Sequence, residues 1–222
     1  MTRPVDSVLA SEVRISAGDV SLDGEIRIPD QAAGIVLFVH GSGSGRFSPR
    51  SVFLAEALRE HGFGTVLFDL LTPEEEAGDF EAGRLRFDID LLAERLIRAA
   101  GWVVENTPPG LPIGFFGAST GAAAAFVAAS YLGREVGAVA SRGGRPDLAR
   151  ALERIVAPTL LIVGGDDGGA LALNRSAFER LACEKRLHVV PRAGHLFEEP
   201  GALAEVAREA AGWFTRHLRM PA

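Results

Sequence analysis

From Glu12 to Ile28 apolar and polar positions alternate, with Val13 and Ile15, then Val20 and Leu22, then Ile26 and Ile28 on the apolar side. A period of two marks half-buried antiparallel strands, and Ala17-Gly18-Asp19 supplies the turn of a hairpin. The pattern then changes. Ile35 to Val39 is an unbroken apolar run, as expected of a strand covered on both faces in a parallel sheet. Runs of the same kind recur at 65–68, 113–116, 136–140, 159–163 and 187–190. Between them lie helix-like stretches at 51–61, 87–106, 120–132 and 174–181, and a last one at 203–218, where Val206, Ala210, Trp213 and Phe214 keep helical spacing. The alternation of strand and helix predicts an α/β class, doubly wound and mostly parallel behind an N-terminal antiparallel hairpin. Ligand sites in such a sheet lie in loops beyond the carboxyl ends of the strands. The least regular stretch, Leu71 to Leu85, carries Glu74-Glu75-Glu76 and reads as a solvated loop. With no repeat or linker, 1–222 reads as one domain.

Composition narrows the class of function. Of the 222 residues 47% are hydrophobic and 23% charged, which excludes disorder and collagen-like repeats. A domain of this length buries roughly 70–75% of the surface of its unfolded chain, enough to fold without a metal or disulfide staple. Twenty-three basic against 29 acidic residues give a net charge of −6 with no dense Lys/Arg stripe, so nucleic acid is an unexpected partner. The lone Cys183 can form neither an internal disulfide nor a common structural zinc site, which fits a reducing compartment. The first residues lack the apolar core of about 7–15 residues that marks a signal peptide, and no run nears the roughly 18 residues of a membrane span. The expectation is a cytoplasmic protein, away from membranes.

Gly117-Ala118-Ser119-Thr120-Gly121 follows the run at 113–116 and leads into an alanine-rich helical segment. That is the strand, tight turn, helix setting in which G-x-S-x-G presents a nucleophile. So sharp a turn brings backbone against the serine, and only a glycine hydrogen avoids the clash. The plainer reading is a glycine-rich turn with Ser119 as helix N-cap. A hydroxyl is a poor nucleophile until a base takes its proton, so the catalytic reading needs a histidine and an acid to orient it. His195, in Arg192-Ala193-Gly194-His195, follows the run at 187–190 and falls at the same sheet edge. His61, His188 and His217 sit on helix ends or a strand and read as structural. Pro158-Thr159-Leu160-Leu161-Ile162-Val163 runs through two glycines into Asp166-Asp167, either of which can orient an imidazole. The chain order Ser119, Asp166 or Asp167, His195 is that of α/β-hydrolases.

His40-Gly41-Ser42-Gly43-Ser44-Gly45 lies beyond the run at 35–39, where this arrangement places the second oxyanion donor. The donors expected are the backbone N–H groups of Ser42 and Thr120, with His40 bracing the loop through hydrogen bonds. A dinucleotide loop starting at Gly41 would need a third glycine where Arg46 stands, and no Gly-Lys-Ser/Thr follows for a phosphate loop.

The segments HGSGSGR, GASTG, SRGGRPD, IVGGDD and AGHLFEEPG together resemble the small bacterial α/β-hydrolases of the dienelactone-hydrolase-like group, over nearly the whole chain. The resemblance implies a single-domain α/β-hydrolase fold without a cap domain, no cofactor and no metal, Ser119 as nucleophile, and His195 as base. It also implies that the acid is Asp167, the second aspartate of the GGxD pattern. Dienelactone hydrolase itself uses a cysteine nucleophile, whereas Cys183 is expected in a helix and position 119 is serine. A serine esterase for small carboxylic esters is therefore expected, working through an acyl-enzyme. A thioesterase, lactonase or amidase would use the same machinery. The segment 141–157 is too short for a lid, so the site should be open and suited to short, soluble acyl groups. Arg142 and Arg145 stand where they can meet a substrate carboxylate or phosphate, or else pair with Glu74 to Glu76 or with Asp147, itself a reserve candidate for the acid. Some members of the group are fused to or encoded with a phosphoribosyltransferase-like domain. A chain of this length has no room for one, so such a protein is an expected partner, and a non-catalytic role beside it is the remaining alternative.

Overall fold

The computed structural model describes residues 9–218; the leader reading, which concerns the first residues, falls largely outside that range. Strands β1 (Leu9–Ala17) and β2 (Val20–Ile28) form the expected hairpin, beginning three residues earlier than the alternation indicated. Its two-residue turn puts Gly18 at φ 82°, the left-handed conformation such turns require at their first position. The hairpin pairs antiparallel with β4 (Gly64–Phe68). The rest of the sheet is parallel: β3 (Ile35–Val39), β5 (Ile113–Ala118), β6 (Val136–Arg142), β7 (Thr159–Gly164) and β8 (Lys185–Val190). The order across the sheet is β1-β2-β4-β3-β5-β6-β7-β8. All residues of β3, β4, β5 and β7 are buried, which is why their sequences are unbroken apolar runs.

Helices cover both faces. α1 (Pro49–Glu60) and α6 (Ala202–His217) pack together over one face, through Leu54, Leu58, Val206 and Phe214. α3 (Ile89–Asn106), α4 (Thr120–Leu132) and α5 (Gly168–Arg180) cover the other. Helix α4 is buried around most of its circumference, and its alanines let it lie directly on the strands. Helix α5 starts six residues before the apolar-spaced stretch at 174–181, with Asp167 capping its first turn.

Leu71 to Leu85 is more ordered than a solvated loop. A short helix α2 (Pro73–Gly78) is closed by a capping box in which Thr72 and Glu75 exchange bonds. Glu75 also forms an ion pair with the buried guanidinium of Arg95, which draws its carboxyl below the usual range. Asp79 is buried, which alone would raise its pKa. The Arg86 side chain and the N–H groups of Arg84, Leu85 and Arg86 instead hold it well below the ordinary carboxylate range. No cap domain interrupts the chain between β6 and β7, where only two single 3₁₀ turns occur, at Pro146–Leu148 and Leu152–Arg154. Among the described residues no helix is long and apolar enough to cross a membrane, and no group of three or more His, Cys, Asp or Glu is arranged to hold a metal.

Candidate active site

Ser119 sits between β5 and α4 with φ 50° and ψ −121°, a region that residues with a side chain avoid. Backbone bonds hold it there. Its N–H donates to the Arg142 carbonyl (3.2 Å), and its own carbonyl accepts from Ala122 and Arg145 (both 3.1 Å). The flanking glycines are sterically required. A Cβ on Gly117 would lie 2.4 Å from the Ala122 Cα, and one on Gly121 would lie 2.2 Å from the Val39 carbonyl oxygen. Ser119 occupies the N-cap position of α4, yet its side chain makes no capping bond. The serine is therefore not serving as a helix cap.

The Nδ1 of His195 lies 2.6 Å from Oδ2 of Asp167, while Oδ1 of Asp167 accepts from the Ala170 N–H at 3.2 Å and so caps α5. Asp166 is exposed, and its backbone N–H donates to Ala193. Of the two aspartates left open by spacing, it is Asp167 that reaches the imidazole. The histidine loop is pressed against the end of β7, where a Cβ on Gly164 would lie 2.2 Å from the Ala193 oxygen. Left-handed Arg192 and Phe197 make its turns, and Glu199 accepts from the Gly194 N–H at 2.9 Å. Gly143, at φ 53°, packs against the ring, with its Cβ position 3.2 Å from Nδ1. The buried Asn174 on α5 donates to the Gly144 carbonyl at 2.9 Å and steadies that segment. Neither Gly143 nor Asn174 carried a sequence signal of its own.

The loop after β3 approaches the sharp turn at Ser119 between β5 and α4, the elbow, directly, since a Cβ on Gly41 would stand 3.0 Å from the Ser119 Cβ. His40 braces it as expected. The Leu70 N–H donates to Nε2 at 3.1 Å, so Nδ1 carries the proton and donates to the Gly41 carbonyl at 3.0 Å. Burial pushes the His40 pKa down and favours this neutral form. The Ser42 N–H, expected to point at a reaction intermediate, instead donates to Thr120 Oγ1 at 2.8 Å. The Thr120 N–H donates to no described group. Beside this loop a small pocket, with a cavity volume of about 30 Å³, is lined by Ser42, Leu70, Leu71, Glu76, Arg86 and Leu92, among others.

The two arginines considered for substrate contact differ. Arg145 is held by both oxygens of Asp147, at 2.8 and 2.7 Å, which removes Arg145 as a free cation and leaves Asp147 away from His195. Arg142 is 8% exposed, its buried Nε has no hydrogen-bond partner among the described residues, and its guanidinium lies over the Phe197 ring at 5.6 Å. Burial, with the Arg50 cation close by, pushes its pKa down to about 10. Glu74 to Glu76 meet neither arginine; Glu75 is spent on Arg95. Cys183 falls in the turn after α5 rather than in a helix, half-buried 3.7 Å from Thr159 Oγ1, and burial raises its thiol pKa. The remaining histidines have structural bonds: His61 to the Ala57 carbonyl, His188 to Glu205, and His217 against Trp213.

No family model matches the chain. A dienelactone hydrolase from Anabaena variabilis is 53% identical, covers 96% of this chain and 99% of its own, and superposes with a TM-score of 0.93. A Pyrococcus furiosus esterase at 17% identity (95% and 92% covered, TM-score 0.78) and a cold-adapted esterase from an Arctic intertidal metagenomic library at 16% (99% and 100%, 0.76) share the fold. Two curated proteins from strains of Mycobacterium tuberculosis, both provisionally named phosphoribosyl transferase, are 52% identical over 95% of this chain. The chain spans 47% of their length, about half.

Proposed function

Because the chain belongs to the dienelactone-hydrolase-like group of α/β-hydrolases, we propose that it is a serine hydrolase that cleaves small carboxylic esters through an acyl-enzyme. The observation that carries this reading is Ser119: strained, placed at the N-cap, and not used as one. In this mechanism Ser119 Oγ attacks the ester carbonyl while His195 Nε2 takes its proton. Asp167 holds the proton on Nδ1, so that Nε2 is the free base, and stabilises the imidazolium that forms. The backbone N–H of Thr120 faces the oxyanion, and that of Ser42 lies with it in the hole, held in the resting structure by the Thr120 hydroxyl. His195 then returns its proton to the leaving alkoxide, and water deacylates the enzyme by the same route. The uncapped edge of the sheet supports short acyl groups, and the unpaired Arg142 supports a carboxylate or phosphate on the substrate.

The test is a series of p-nitrophenyl esters of rising acyl length beside fluorophosphonate labelling read by mass spectrometry. Ser119→Ala is expected to abolish turnover and labelling without changing the melting temperature. Ester hydrolysis at the unmodified rate by that variant would refute the assignment. Thioester, lactone and amide substrates in the same assay separate the related chemistries.

A second reading is favoured by the length and name of the mycobacterial relatives. In it the chain is the hydrolase part of a larger system with a phosphoribosyltransferase-like partner. Co-purification of the two from the native source tests it, and their separation in gel filtration at micromolar concentration counts against it.

A further inference from the structure

The Ser42–Thr120 hydrogen bond joins residues 78 positions apart, and it joins the two whose backbone N–H groups the proposed mechanism needs. A hydroxyl that accepts one bond must still place its own hydrogen. Threonine on a helix commonly donates back to a carbonyl one turn earlier. Thr120 is the first residue of α4, so no helical carbonyl lies behind it, and Oγ1 donates to no described residue. The side chain is only 4% exposed, and the bond from the Ser42 N–H holds its oxygen in place. That oxygen is thus fixed in the residue that follows Ser119 and beside the Gly41 backbone, whose Cβ position is 3.0 Å from the Ser119 Cβ.

We propose that the Thr120 hydroxyl is itself an oxyanion donor, resting on the serine hydrolase reading above. In this arrangement the Ser42 N–H donates to Thr120 Oγ1, and the hydroxyl hydrogen donates to the oxyanion. The Thr120 N–H donates directly beside it. The Ser42 amide then acts one bond removed, polarising the hydroxyl in the manner of a hydrogen-bond chain. No bond in the resting structure has to break for this, only the hydroxyl rotor has to turn. The hydroxyl is worth most when charge develops on the carbonyl oxygen, so it belongs to the transition state more than to substrate binding.

Thr120→Val removes the hydroxyl and keeps the shape. With p-nitrophenyl acetate its kcat is expected to fall about 10- to 100-fold while KM stays within about twofold, and Thr120→Ser to recover most of the loss. Melting temperatures are measured for each variant, because a residue that merely anchored the loop would lower stability and activity together and would not be rescued selectively in kcat. Unchanged kcat in Thr120→Val overturns the proposal, as does an equal kcat loss in the Val and Ser variants. If Thr120→Val does not fold, Thr120→Ala is read by the same criteria. Ser119→Ala in the same assay keeps the two ideas apart: turnover by that variant defeats the serine hydrolase reading, whereas an inactive Ser119→Ala beside a fully active Thr120→Val defeats only the role of the hydroxyl.

Discussion

Asp167 performs two tasks with two oxygens, and replacing it by asparagine leaves only one oxygen for both. Oδ2 meets His195 Nδ1 at 2.6 Å and Oδ1 meets the Ala170 N–H at 3.2 Å. Both partners are donors, so the amide NH2 of an asparagine has to face one of them. If the oxygen stays at the cap, the NH2 forces His195 Nδ1 to become an acceptor and puts the proton on Nε2, where it blocks removal of the serine proton. The loss is then about 10⁴-fold in kcat, the size associated with the wrong tautomer in a Ser-His-Asp triad. If the oxygen turns to His195, the tautomer survives and only the charge is lost. A charge-assisted bond is worth about 1.5–3 kcal/mol, which at about 1.4 kcal/mol per decade is roughly 10- to 200-fold. Since 43% of the His195 side chain is exposed, solvent screening places this branch toward its lower end. The cap is then sacrificed, at about 1 kcal/mol, or about 2–4 °C in melting temperature for a domain of this size. Asp167→Asn should therefore show either a severe kinetic defect with near-normal stability or a milder defect with a measurable drop in melting temperature. Steady-state kinetics with p-nitrophenyl acetate and calorimetry on the same preparation distinguish them. A variant that matches the unmodified protein in both would refute the reasoning, while Asp166→Asn, on an exposed side chain, should match it in both.

Further outcomes follow from burial and close approach. Glu75→Ala strands the Arg95 guanidinium and should cost about 3 kcal/mol, or about 6–12 °C, and adding Arg95→Met should return most of it; a melting curve without that recovery contradicts the pairing argument. Gly121→Ala forces a methyl group onto two carbonyl oxygens and should cost at least about 3 kcal/mol or prevent folding. Gly169→Ala, in open space on the first turn of α5, should stabilise by about 0.4–1 kcal/mol; chemical denaturation compares the pair, and similar midpoints would defeat the steric account. Arg142→Met removes a buried cation with no counter-ion and should leave the melting temperature unchanged or raised. It should also raise KM for a carboxylate-bearing ester more than for a neutral one of equal length, and equal changes in KM would take Arg142 out of substrate recognition.

Much of this architecture is legible in the sequence, for identifiable reasons. Strands buried on both faces leave a nearly continuous apolar run, so β3, β4, β5 and β7 stand out without an alignment. The elbow is legible because Gly117 and Gly121 meet backbone that tolerates no Cβ, a constraint that reaches the sequence as a fixed spacing. Chain order alone brought Ser119, an aspartate and His195 to one edge, yet could not choose between adjacent aspartates; that choice depends on which carboxylate also caps α5. Helix α2 leaves no such trace, because its order comes from side chains meeting at a distance, Arg95 on Glu75 and Arg86 on Asp79, rather than from periodicity. The same limit applies to Arg145, since Asp147 is one of several acids within plausible reach of it along the chain, and to the Ser42–Thr120 bond, which depends on a rotamer no local pattern encodes.

The peptide of Ser119 is gripped from outside its own turn: its N–H by the carbonyl of Arg142 and its carbonyl by the N–H of Arg145. The strained corner is thus kept in shape by a neighbouring connection that is part of neither the elbow nor the histidine loop. Heat that loosens residues 142–145 would let the corner relax toward an unstrained backbone while the sheet is still intact. Inactivation would then set in below the temperature at which the domain melts, and the durability of the enzyme would be governed by that one connection more than by the size of its core.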